Sequence, residues 1–162
     1  ERFAWTGRRV LALAGVALIG MALTGAARRM TPARLGQVVA EHFPEEAAAA
    51  VERGGYAGPL YNHFDWGGYL IWRLPNLPVA MDGRTNLHGD DRLRRSFATW
   101  DGRKGWDDDP ELAAAGVVVA GAGRPLTSLL RTDPRFAIAH EDGLAVVFVR
   151  RDSARPAPTP TR

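Results

Sequence analysis

Residues 116–150, GVVVAGAGRPLTSLLRTDPRFAIAHEDGLAVVFVR, decide the fold. The stretch opens on Gly116–Ala120, a β-branched run that is apolar at successive positions, as a strand covered on both faces must be. Pro125 stands at the first position of a short helix that runs to Leu130. Phe136–His140 and Ala145–Arg150 then read as two strands joined by a tight turn at Glu141-Asp142-Gly143.

Upstream, the same reading gives alternating elements. Asp109-Pro110 starts a helix that ends at Ala115, and Asp90–Trp100 is a second helix. Pro78–Asp82 and Leu60–Asn62 read as strands, with a helix over Trp66–Leu74 between them, opened by Asp65 as N-cap. Thr31-Pro32 starts an earlier helix with Leu35, Val38, Val39 and His42 on one face. Pro44 interrupts it, and an Ala-rich piece over Glu45–Glu52 stops at Gly54-Gly55. Alternation of this kind predicts an α/β fold: a small three-layer domain over residues 30–150, its sheet mostly parallel and closed by the antiparallel hairpin. Residues 151–162 form a Pro-rich tail expected to be disordered.

Ahead of this domain lies Val10–Ala27, VLALAGVALIGMALTGAA, eighteen residues without a charge. As a helix it spans about 27 Å, enough to cross a hydrocarbon core. Arg8, Arg9, Arg28 and Arg29 bracket it, placed to reach the headgroups on either side. A transmembrane helix is the leading expectation. A cleaved signal peptide, with Thr24-Gly25-Ala26 as the small-residue site, and a buried core helix are the alternatives. Residues 1–9 are a flanking segment. Because the chain opens on Glu1, a longer parent is expected, in which this span is the last of several.

The charge follows this division. Residues 1–29 carry five Arg and one Glu, and residues 30–162 carry sixteen Lys and Arg against seventeen Asp and Glu. The basic balance therefore belongs to the flanks of the apolar stretch, and a nucleic-acid partner is not expected. The chain has no Cys, which excludes disulfides, thiolate zinc sites and a thiol nucleophile.

The chemistry-bearing residues crowd into Tyr61–Thr85, YNHFDWGGYLIWRLPNLPVAMDGRT. Asn62, His63 and Asp65 follow the first predicted strand, and Asp82, Gly83, Arg84 and Thr85 follow the second. In open α/β sheets ligands sit at the carboxyl ends of strands. If the two strands are parallel neighbours, these loops meet on one edge. Gly67-Gly68 removes side chains where another backbone or a ligand comes close. Asn62, Asp65, Trp66, Tyr69, Asp82 and Arg84 are the candidate substrate-binding residues. The plainer alternative makes Asp65 a cap, the aromatics core or membrane-facing, and Asp82 the partner of Arg84. The four His are far apart, none at ligand spacing, so no metal is expected, although His63 with Asp65 and Asp82 could form an oxygen-rich site. Gly121-Ala122-Gly123 follows a strand, with Glu141 twenty residues on, but Leu126 stands at the third fingerprint position. A strand-to-helix turn explains it, and no cofactor is expected. Asp107-Asp108-Asp109 reads as a solvated loop feeding a helix N-terminus. Arg92, Arg94, Arg95, Arg103 and Lys104 form a basic cluster, either a solvated face or a contact for anionic headgroups.

Three stretches carry a family resemblance: YNHFDWGGYLIWRLP, VAMDGRTNLHG, and PLTSLL followed by DPRFAIAHEDGLAVVFVR. With them, Leu60–Arg150 resembles the soluble C-terminal domain of bacterial polytopic membrane proteins of the GT-C type, glycosyltransferase-like proteins that use polyprenyl-phosphate-linked sugars. Asp65-Trp66-Gly67-Gly68-Tyr69 is also similar to the WWDYG signature of oligosaccharyltransferase catalytic subunits. Here Phe64 precedes the acid, Trp66 follows it and a second Gly intervenes, so acceptor-peptide recognition is not implied. The resemblance implies placement: an extracytoplasmic domain of an inner-membrane, multi-pass parent, capping a membrane active site. It further implies membrane lipid, a polyprenyl-phosphate sugar and the parent's remaining transmembrane helices as partners. In that family the catalytic carboxylates lie in loops between early membrane helices, so this chain by itself is expected to be inactive and its catalytic residues are not assigned. The alternative is a membrane-anchored binding or assembly domain without chemistry.

Overall fold

The computed structural model describes residues 2–29 and 31–153. The chain divides into two compact units, Glu1–Glu41 and His42–Arg162. The first unit holds α1 (Arg2–Arg29) and most of α2 (Pro32–His42). Within α1, Arg9–Arg28 is a 20-residue window of mean hydropathy 2.2, none of it buried. It is therefore not the core of the described fold. At 1.5 Å per residue it is about 30 Å long, and by length and composition it can cross a membrane. Thr31 caps α2 as its type predicts, its Oγ1 accepting from the Arg34 amide at 3.4 Å. The apolar Leu35 and Val38 on α2 stay exposed.

The second unit runs α3 (Glu45–Gly54), β1 (Leu60–Asn62), α4 (Gly67–Arg73), α5 (Thr85–His88), α6 (Asp90–Trp100), α7 (Pro110–Ala114), β2 (Val117–Gly121), α8 (Pro125–Leu130), β3 (Phe136–Glu141) and β4 (Ala145–Arg150). The four strands form one open sheet in the order β1-β2-β4-β3. Only β1 and β2 pair parallel, and both of the other pairings are antiparallel. The sheet is thus mixed, not mostly parallel, and the hairpin does not close it. The cause lies in the two hairpin strands. β4 is apolar at every position from Ala145 to Val149 and buried throughout, so it needs neighbours on both sides. β3 exposes Ile138 and Ala139 and tolerates the edge. β4 therefore inserts beside β2, and β3 pairs outside it through a bulge between Ile138 and His140.

Pro78–Asp82 is not a full strand. It makes a single parallel bridge, Leu60 with Val79, with the Leu60 amide on Pro78 O at 2.9 Å and the Ala80 amide on Leu60 O at 2.8 Å. Pro78 has no amide hydrogen to add, and beyond Ala80 the Asn62 side chain takes over the pairing.

Alternate residues feed two cores. Leu60, Val117, Val119 and Val147 face α3 and α4 through Ala47, Val51, Leu70 and Leu74. Tyr61, Val118, Val146 and Phe148 face the other helices through Trp100, Leu112, Leu126 and Leu130. Helices thus cover both faces of the sheet. Asp109 caps α7 with its Oδ1, while its Oδ2 accepts from Tyr61 and Thr99 hydroxyls at 3.3 and 2.8 Å. It is buried, so of the acidic run only Asp107 and Asp108 are exposed as expected. Asp65 does not open a helix over Trp66–Leu74. His63 caps a 3-10 turn at Phe64–Trp66, and α4 starts at Gly67 without a side-chain cap. Of the tail, Arg151–Ser153 is a 3-10 turn, and the rest lies outside the described residues.

Candidate functional site at the carboxyl edge of the parallel strands

The chain leaves β1 towards the face covered by α4 and leaves β2 towards the face covered by α8. Adjacent parallel strands whose connections diverge leave a crevice between their carboxyl ends, the usual ligand position in such sheets. The corresponding place in this sheet lies between His63–Trp66 and Gly121–Arg124, where the Trp66 ring would come 3.7 Å from a Cβ on Gly121. Asp65 bridges it: its carboxylate, 63% exposed, lies 3.1 Å from His63 Nδ1 and 3.7 Å from Arg124 Nη2. The His63 ring is buried, edge-on to Trp100 at 5.4 Å. Burial and the Arg124 charge push its pKa below the usual value, against the pull of Asp65 and Asp101, so the ring is neutral at pH 7. Its Nε2 has no partner among the described residues.

The two loops singled out in the sequence do meet. Gly67 lies against the backbone of Met81 and Asp82, so close that a Cβ would fall 2.0 Å from Met81 O. Gly68, in contrast, faces open space. Asn62 ties the same loops together. Its Nδ2 donates to His63 O and Met81 O at 2.9 and 2.8 Å, and its Oδ1 accepts from the Ala80 amide at 3.1 Å. With all its polar atoms used inside the fold, Asn62 is a clasp.

Asp82 is equally committed. Its side chain is 5% exposed and accepts from Arg84 Nε at 3.0 Å, Arg84 Nη2 at 2.5 Å and the Arg84 amide at 2.9 Å, with His88 Nε2 at 3.3 Å. The Arg84 hydrogen bonds, first of all, hold the carboxyl far below the ordinary range, so Asp82 stays ionised and is no proton acceptor. Arg84 is the opposite case: its side chain is 64% exposed, and Nη1 has no partner among the described residues. Behind it His88 Nδ1 meets Arg92 Nη1 at 3.1 Å, and Arg92 binds Glu111 at 2.5 Å and Ala80 O at 2.6 Å. This chain of contacts fixes the loop to α6 and α7. The basic cluster read from the sequence is largely spent on carboxylates: Arg92 and Arg95 on Glu111, Arg94 on Asp90 and Asp91, and Arg103 on Asp101.

The aromatic candidates mark where the chain enters the unit. Trp66 Nε1 donates to His42 O at 3.1 Å, and its ring lies near Gly121. Tyr69 stacks on Phe43 at 5.0 Å and contacts Trp72 at 6.0 Å. The entry point, His42-Phe43, therefore sits at the same carboxyl edge as Asp65 and Arg124. His88 and Arg124 carry no sequence signal as site residues, and His63 enters the sequence reading only beside Asn62 and Asp65 and in a possible oxygen-rich site, not among the substrate-binding candidates. An isolated His carries no local signal, and Arg124 joins Asp65 only once β1 and β2 are known to pair.

Among the described residues no group of three or more His, Cys, Asp or Glu is arranged to hold a metal ion. The Gly121–Arg124 turn is a structural connection: the Arg124 amide donates to Gly121 O at 3.0 Å and Thr127 Oγ1 to the same oxygen at 2.7 Å. Glu141 is held by Arg131. Two clefts lie away from this edge. One, of about 220 Å³, is bordered by Glu52, Tyr56, Arg73 and Asn76, and the other, of about 470 Å³, by Trp106, Asp107, Thr132 and Arg135. Comparison with protein-family models, curated proteins and solved structures finds no match.

Proposed function

We propose that this chain is the last span and extracytoplasmic C-terminal domain of a bacterial inner-membrane glycosyltransferase-like protein, in which the domain caps a membrane active site that uses a polyprenyl-phosphate-linked sugar. The observation that carries this reading is the shared edge. The carboxyl ends of the parallel strands, with Asp65 and Arg124, lie beside His42-Phe43, where the chain enters this unit, and the Asp82–Arg84 loop packs on Gly67 next to them. A guanidinium there meets a lipid phosphate with the geometry such a pair needs. Arg84 is the contact residue, and Asp82 is the positioning residue that aims it. Asp65, with its exposed carboxylate, and Tyr69 and Trp66 beside the entry point border the same space. The catalytic carboxylates belong to parts of the parent outside this chain, in keeping with the resemblance to the GT-C type.

The test is sugar transfer by the full-length parent. Arg84→Ala is expected to lower turnover at limiting donor about tenfold or more, because a charge-assisted contact is lost, and also to lower the thermal midpoint, because the buried Asp82 carboxylate loses its main partner, so transfer is compared at a temperature where both proteins are folded. A specific observation favours the second reading, a membrane-anchored assembly domain: Asn62 and Asp82 spend every polar atom within the fold. If folded Arg84→Ala transfers sugar as the wild type does, that second reading replaces the first.

A further inference from the structure

The exposed apolar side chains of the second unit are unevenly placed. Ile71, Trp72, Leu87, Phe97 and Ile138 are its exposed large hydrophobics. Ile138 belongs to the edge strand. Leu87 lies on α5, just after Asp82, and Phe97 on α6 meets Phe64, in the turn after β1, edge-on at 5.8 Å. Trp72, 74% exposed, ends a ladder in which Phe43 stacks on Tyr69 at 5.0 Å and Tyr69 contacts Trp72 at 6.0 Å. The ladder begins at the residue where the chain enters the unit.

We infer that the Phe43–Tyr69–Trp72 ladder seats the domain on the lipid–water interface, with Trp72 at the level of the headgroups. Two features select lipid over a protein partner. Trp and Tyr are the residue types that partition to this interface, where one side of the ring is dry and the other wet. The ladder begins at Phe43, which α2 alone separates in sequence from a helix able to span a bilayer, so the chain tethers the ladder near lipid. The inference rests on the membrane-spanning reading of α1 but not on sugar transfer.

The test uses the full chain in vesicles of phosphatidylethanolamine and phosphatidylglycerol that carry lipids brominated high on the acyl chain. Tryptophan emission is compared for the wild type, Trp72→Phe and Trp106→Phe. Trp106 borders the cleft with Thr132 and Arg135, and reports on a part of the unit away from the proposed seat. Trp72→Phe is expected to remove a quenched component, and Trp106→Phe to remove an unquenched one. A quenched fraction that does not fall in Trp72→Phe overturns the inference. Shielding of Trp72 from acrylamide in detergent, without quenching in vesicles, overturns it in favour of a protein partner. Carbonate extraction separates the two levels. A chain that stays in the pellet with Trp72 unquenched loses the seat and keeps the span, whereas a chain stripped into the supernatant loses both.

Discussion

Replacing Gly67 by Ala tests the contact on which the whole carboxyl edge depends. An ideal Cβ at this position falls 2.0 Å from Met81 O, 2.5 Å from Asp82 Cα and 2.8 Å from Asp82 Cβ. A carbon needs roughly 3.3 Å from a carbonyl oxygen, so backbone must move by about 1 Å, and no rotamer change relieves it. The movement pulls Met81 off the Asn62 amide, now 2.8 Å away, and displaces Asp82 with it. Overpacking costs about 1–3 kcal/mol, and a buried amide left without its acceptor costs about 1–3 kcal/mol more. A combined loss of about 2–6 kcal/mol is a large share of the roughly 5–15 kcal/mol that holds a domain together. Gly68→Ala is the control. Its Cβ meets nothing within 4 Å, and Ala in place of Gly in a helix gains about 0.5–1 kcal/mol. Thermal unfolding of the full chain in detergent, followed by circular dichroism, should therefore separate the two neighbours by roughly 10–20 °C. Midpoints within a degree or two of each other would refute the packing of Gly67 against Met81 and Asp82.

Asp82 has a folded pKa held far down by Arg84, so its stabilising contribution is complete above the unfolded carboxyl value of about 3.9 and is lost as pH falls towards the folded value. The gap in melting temperature between wild type and Asp82→Asn should be constant at neutral pH and shrink below about pH 4. A gap independent of pH speaks against the ion pair. His63 behaves differently, because burial favours its neutral form. Its contribution is complete above the unfolded value of about 6.5 and falls as pH drops below it, so His63→Asn should flatten the stability profile in the window just under pH 6.5. An unchanged profile places the ring in water.

Much of this fold can be read from local chemistry. The GVVVA run, the Thr31 and Asp109 caps and the tight turn before β4 each follow from a few adjacent residues. The purpose of Gly67 was also visible, since a Gly pair between two predicted strands implies close approach. The strand order was not drawn from the sequence, although the signal is there: AVVFV is apolar at every position, while FAIAHE gives way to polar residues. The first pattern demands a central place and the second an edge. The site was harder. Asn62 as a clasp and Asn62 as a ligand contact look identical in sequence, because the difference is whether Met81 and Ala80 lie within reach. Asp65 and Arg124 are far apart in the chain, and no periodicity links them.

The two aspartates of the edge hold their arginines with different firmness, and this separates recognition from mere charge. Asp82 grips Arg84 bidentately, with Nε at 3.0 Å and Nη2 at 2.5 Å, and leaves Nη1 outward. Asp65 reaches Arg124 only at 3.7 Å from an exposed position. On the proposed function, a phosphate arriving at this edge would displace the loose carboxylate and leave the tight one in place. Asp65→Asn releases Arg124 in advance and should strengthen binding of a short-chain polyprenyl phosphate, while Asp82→Asn frees Arg84 to wander and should weaken it. Simple electrostatics predicts the same sign for both, since each removes one negative charge near the anion. Titration of the full chain in micelles with the short-chain lipid, at two salt concentrations, distinguishes the cases. Opposite signs support an aimed Arg84, and equal increases for both variants mean that Asp82 does nothing for the ligand beyond its charge.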